Sequence, residues 1–115
     1  MKITQHFVVQ PTDLNHMGSL FGGAACSQAD LTGYICASLE YPDASFVTRH
    51  FEPFNFLAPA HLGDILAVTA EIVETGNTSV VVNLEAINTK TKCRIYATKA
   101  VFVNAPNGVK TPLPK

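Results

Sequence analysis

The chain has no tryptophan and little charge: only 15% of its 115 residues are Asp, Glu, Lys or Arg. Acidic and basic residues nearly cancel, leaving a formal net charge of -1. Electrostatic binding of nucleic acid needs a basic excess or stripe, and the few basic residues here are scattered, so no nucleic-acid partner is expected. No apolar run approaches the ~20 residues that span a bilayer, so no membrane partner is expected. The N-terminal MKITQHFVVQ lacks the long apolar segment of a secretory leader. Cysteine is scarce as well. Cys26, Cys36 and Cys93 are odd in number, lack CxxC spacing and sit in apolar surroundings. That excludes a disulfide scaffold and predicts reduced, buried thiols in a cytoplasmic protein. His50 and His61 have no ligand spacing with another His or a Cys pair, so no metal is expected. No Gly-x-Ser-x-Gly turn is present to carry a nucleophilic serine.

Hydrophobic residues make up 47% of the chain, enough for the core of one domain. They concentrate first after Gly22-Gly23, where Ala24, Ala25, Ala29, Leu31 and Ala37 favour a helix from about Gly23 to Leu39. This helix is apolar on nearly every face and is expected to be buried all round. Gly33 inside it costs about 1 kcal/mol against Ala, which close packing against another backbone would justify. Asp30 is its one charged residue before Glu40. A carboxylate there is costly unless paired or used.

The rest of the chain reads as strands. Lys2 to Gln10 alternates and stops at Pro11. Ser45 to Phe56 is aromatic and β-branched, and Pro53 within it marks an edge, a bulge or a bend. Ile65 to Glu74, Thr78 to Ile87 and Arg94 to Asn104 follow, joined by turns at Gly76-Asn77 and at the polar tip Asn88 to Cys93. The order predicts an α+β domain, an antiparallel sheet of about five to six strands wrapped around one long central helix. Residues 1-104 form this domain, and the Pro- and Gly-rich 105-115 a loosely ordered tail. A sheet that covers only part of an apolar helix leaves surface to bury, and a homodimer supplies the cover.

Asn15-His16-Met17-Gly18, Phe21-Gly22-Gly23 and Ser27-Gln28-Ala29-Asp30 follow one another at fixed spacing, and Phe56-Leu57-Ala58-Pro59, Gly63-Asp64 and Gly76-Asn77-Thr78-Ser79 come later in order. Together they resemble the hotdog-fold acyl-CoA thioesterases, nearest the small bacterial acyl-CoA hydrolases related to cytosolic acyl-CoA hydrolase. The chain departs from that pattern in three places. Ala58 stands where relatives often have a basic residue, the Asn88 to Cys93 connection is short, and Arg49-His50 replaces small apolar residues. These departures bear on acyl and CoA preference, so the phenylacetyl- or hydroxybenzoyl-CoA thioesterase type stays open. So do a non-catalytic acyl-CoA-binding protein and a hotdog dehydratase.

The resemblance implies hydrolysis of an acyl-CoA to free acid and CoA, with no cofactor beyond the CoA of the substrate. It implies a homodimer at least, with tetramers or hexamers among relatives. Free N–H groups at the helix N-terminus lie at the positive end of its dipole, and Gly22 with Gly23 lets a carbonyl oxygen approach them. Gly23 N–H is then the oxyanion donor. Asp30, two turns further in, is general base or nucleophile, and Asn15 assists from the opposing subunit. His16, Phe21, Thr78 and Ser79 are candidate substrate contacts. Lys90, Lys92 and Arg94 form a small basic cluster suited to CoA phosphates. Each has a plainer reading: tight helix entry for the glycines, a paired structural Asp30, an Asx turn for Asn15, and a solvated hairpin tip for the basic cluster.

Overall fold

The protein is described by a computed structural model covering residues 1–114. Its centre is a helix, α1 (Gly22–Glu40), laid across one antiparallel sheet. The strands are β1 (Lys2–Val8), β2 (Phe46–Phe51), β3 (Asn55–Phe56), β4 (Ile65–Thr75), β5 (Ser79–Asn88) and β6 (Arg94–Asn104). The sheet order is β1-β4-β5-β6-β2, with the short β3 also pairing β6. β1 and β2 are therefore its edges. The expected strand over Ser45 to Phe56 is broken in two, as Pro53 requires: Pro has no N–H for the ladder. A register shift between Thr48 and His50 puts a bulge in β2 as well.

Period-two alternation sorts each strand's faces. In β4, Leu66, Val68 and Ala70 are buried while Ile65 on the other face is exposed. Val80, Val82, Leu84 and Ala86 of β5 continue the buried face. The helix meets this layer with small side chains: Ala25, Ala29, Thr32, Gly33, Cys36 and Ala37 are all buried. The close approach expected at Gly33 is made to an aromatic ring rather than to a backbone. A Cβ there would lie 2.8 Å from the Phe102 ring.

Two expectations are corrected. The helix is not buried all round, because the sheet covers one side only. Gly23, Ser27, Leu31 and Tyr34 form an exposed stripe along its other side. The cysteines also differ from one another: Cys36 is buried, Cys26 half-buried and Cys93, on the β5–β6 turn, exposed.

The chain after Asn104 is held rather than loose. Buried Asn104 accepts the Ser45 N–H at 2.8 Å and donates from Nδ2 to the Pro112 carbonyl at 3.0 Å. Thr111 N–H donates to the Asn104 carbonyl, Leu113 N–H to that of Asn77, and Leu113 packs on the core. Composition alone missed these partners. Lys115 lies outside the described residues.

Candidate active site

Three loops converge at the N-terminal end of α1. Residues Leu14 and Leu20 bridge to form a small hairpin, whose tip needs Gly18 in the left-handed region (φ +78). This hairpin is tied to the loop after β3: Leu20 N–H donates to the Ala60 carbonyl at 2.8 Å, and Ser19 bridges His61. That second loop is tied in turn to the end of β1 by bonds between Val9 and both Gly63 and Asp64. The result is a braced rim around a cleft of about 470 Å³, lined by Asn15, Gly22, Phe56, Leu57, Pro59 and Ile95 among others.

Asn15 is both a turn residue and a free donor. Its Oδ1 accepts the N–H groups of Met17 at 2.9 Å and Ser19 at 3.1 Å. Two backbone donors on one atom fix which end of the amide is oxygen. The Nδ2 end has no hydrogen-bond partner among the described residues. It is left available at the cleft that Asn15 lines.

Beside it, α1 begins without the usual polar cap. Phe21 occupies the N-cap position and makes no side-chain cap, and no acidic residue lies in the first turn. The first helical bond is Ala25 N–H to the Phe21 carbonyl at 3.0 Å, so the N–H groups of Gly22, Gly23 and Ala24 are unspent among the described residues. Such a terminus favours an incoming negative oxygen. The Phe21 ring covers Gly23 so closely that a Cβ would lie 2.7 Å from it.

Asp30 sits elsewhere. It is half-buried in a groove between α1 and β2, lined by Ser27, Asp30, Leu31, Tyr34, Phe46, Val47 and Thr48. Thr48 Oγ1 donates to Asp30 Oδ1. Thr48 is not among the expected site residues, because in the sequence it reads as an ordinary β-branched strand former. Just behind, Gln28 is buried and its Oε1 accepts from Tyr96 Oη at 3.1 Å. Burial pushes the Tyr96 phenol well above its ordinary range, with the nearby Cys26 adding to the shift. Tyr96 therefore stays a neutral donor that pins the turn of helix preceding Asp30. Within one chain the cleft of Asn15 and the groove of Asp30 share no lining residue.

A family model described as "Thioesterase superfamily" matches residues 17–95. The chain belongs to this family. The thioesterases it matches include the acyl-CoA thioester hydrolase YciA of Salmonella typhimurium, 35% identical over 93% of this chain and 86% of that protein. Among solved thioesterase structures, the hexameric y2039 of Yersinia pestis superposes with a TM-score of 0.88 at 30% identity, over 96% of this chain and 92% of that one. The hexameric hotdog-fold Cj0915 of Campylobacter jejuni does so at 0.82 and 29%, covering 96% and 88%. The fold is the hotdog fold expected from the sequence.

The remaining expected contacts of this thioesterase are dispersed. His16 is exposed in the hairpin and does not line the cleft. Thr78 and Ser79 precede and open β5 near Asn104, at the end of the sheet away from Gly22. Lys90, Lys92 and Arg94 lie at the β5–β6 turn, on the cleft's side, since Ile95 lines it. Arg94 is already paired with Glu85 at 2.8 Å. Lys92 sits at φ +64, a left-handed position that the tight turn imposes.

Proposed function

We propose that this chain hydrolyses acyl-CoA thioesters, adding water across the C–S bond to give a free acid and CoA thiol. The observation that carries the reading is the open start of α1. Gly22, the first of three residues with unspent backbone N–H groups, and Asn15 with its Nδ2 donor line one cleft in a member of the thioesterase superfamily. The thioester carbonyl oxygen sits at these donors and gains negative charge as the tetrahedral intermediate forms. Asp30, oriented by Thr48, removes a proton from the attacking water or attacks as nucleophile. The CoA sulfur leaves and is protonated.

Because one chain keeps Asp30 apart from that cleft, the working site needs a second copy. One protomer supplies Asn15 and the helix N-terminus, its partner Asp30 and Thr48. Several features fit such an assembly: the exposed stripe on α1, the open edge of β2, and the hexamers of the Yersinia and Campylobacter relatives. Lys90 and Lys92, which have no ion-pair partner among the described residues, are the cations assigned to the CoA phosphates.

The test is CoA release from a panel of acyl-CoAs by the wild type and Asp30→Asn, read with a thiol reagent after Cys93 has been blocked. Turnover by the wild type, falling ~10²-fold or more in the variant, supports the assignment. Equal turnover by both removes Asp30 from the chemistry.

A further inference from the structure

Phe56 lines the cleft beside Asn15 and Gly22, and the reaction proposed above gives it no part. Its place is set from behind. β3 pairs β6 with Phe56 opposite Tyr96, and Leu57 N–H donates to the Ile95 carbonyl at 2.8 Å. Phe54 packs on both rings, 5.1 Å from Phe56 and 4.9 Å from Tyr96 between centroids. Tyr96 is fully buried, so this aromatic group is anchored in the core, while the Phe56 ring at its other end stays 50% exposed. A lone exposed aromatic needs no explanation. This one has a specific neighbour. A Cβ built on Gly22 would lie 3.9 Å from Phe56 Cζ, the one contact within 4 Å that it would make beyond its own stretch of chain among the described residues. The tip of the ring therefore borders the first residue of α1, whose N–H is unspent.

We infer that Phe56 is a positioning residue: its ring forms a dry wall beside the start of α1 and so strengthens the hydrogen bonds that the tetrahedral oxyanion receives there. The inference rests on the thioesterase reading above. N–H groups left over at a helix start are otherwise met by water. Water competes with the substrate for those donors and screens the charge that develops on the carbonyl oxygen. A hydrocarbon ring brings no oxygen of its own to the donors and keeps water from one side of them. Leu57, Pro59 and Ile95 continue the apolar lining. The aromatic group behind the ring holds it in place, where a loosely held side chain would swing and admit water. Bonds that strengthen only as negative charge develops act on the transition state. The effect of the ring therefore falls on kcat and leaves the binding of substrate nearly unchanged.

The experiment compares wild type with Phe56→Leu and Phe56→Gln, two variants that differ from each other in polarity and little in volume. It measures kcat and KM for the best acyl-CoA of a panel, and Kd for the matching non-hydrolysable thioether, which lacks the carbonyl. Phe56→Leu keeps the wall apolar and is expected to retain kcat within ~3-fold. Phe56→Gln brings a polar group and water to the helix start. Its kcat is expected to fall ~10-fold or more, short of the ~10²–10³ lost with a whole oxyanion donor. KM and the thioether Kd are expected to stay within ~3-fold in both variants. Melting profiles follow the fold, and Phe56→Ala, which opens the same wall by removing it, takes the place of Phe56→Gln if that variant unfolds. Equal kcat in the apolar and the opened variant overturns the inference. So does a loss that appears only in KM and the thioether Kd, since the ring would then be a binding contact. A wild type that binds the thioether but turns over no acyl-CoA sinks the hydrolase reading itself, before any variant is compared, and the inference falls with it.

Discussion

Asn15 and Asp30, to which the proposed reaction assigns the chemistry, are each held by a partner that leaves part of the side chain free. Two backbone N–H groups occupy Asn15 Oδ1, which realises the turn reading and leaves Nδ2 for the role proposed above. That separation gives a sharp variant. Asn15→Asp keeps the turn acceptor and replaces the donor with a negative oxygen. It should fold with an unchanged melting profile while kcat/KM falls ~10²-fold, the usual loss of one oxyanion donor. Thr48 escaped the sequence analysis because its bond to Asp30 joins a helix to a strand, a pairing that no local spacing records. Burial raises the thiols of Cys36 and Cys26, and for Cys26 the Asp30 carboxylate adds to the effect. A raised pKa means less thiolate at a given pH than a free cysteine carries. At mildly alkaline pH, Ellman's reagent should therefore modify exposed Cys93 rapidly and reach Cys36 only on unfolding. Rapid loss of all the thiols from the folded protein would contradict that order.

At the scale of elements, the helix was legible and its surroundings less so. Alanine-rich small residues marked α1 to within a residue or so at each end, since propensity and burial agree there. β6 was legible over its full length because alternation and flanking turn residues coincide. The break at Pro53 was legible as a break, but not as two strands that both pair β6. The tail was misread because its order comes from Asn104 and Asn77, partners supplied by the fold. Gly33 offers the clearest test of how α1 sits. Alanine there gains about 1 kcal/mol of helix propensity but drives a methyl against the Phe102 ring, where overpacking costs about 1–3 kcal/mol. A net loss of about 1 kcal/mol is expected in urea unfolding of Gly33→Ala. A stabilised variant would mean that the helix packs less closely than described.

At the scale of the molecule, the residues of the proposed site are divided between two places on one chain. Its open α1 terminus and its helix carboxylate face different spaces, and the stripe Ser27, Leu31 and Tyr34 between them is left to solvent. The sequence pointed to a partner through the mismatch between an apolar helix and a one-sided sheet, and the separation of Asn15 from Asp30 within one chain supports a site shared between copies. The measurement that tests this most directly mixes Asp30→Asn with Asn15→Asp protomers after reversible dissociation. If each site draws Asp30 from one copy and Asn15 from another, half of randomly paired dimers regain one intact site of two, or roughly a quarter of wild-type turnover. Turnover no higher than the average of the two separate variants would contradict a shared site and place the whole of the chemistry within one chain.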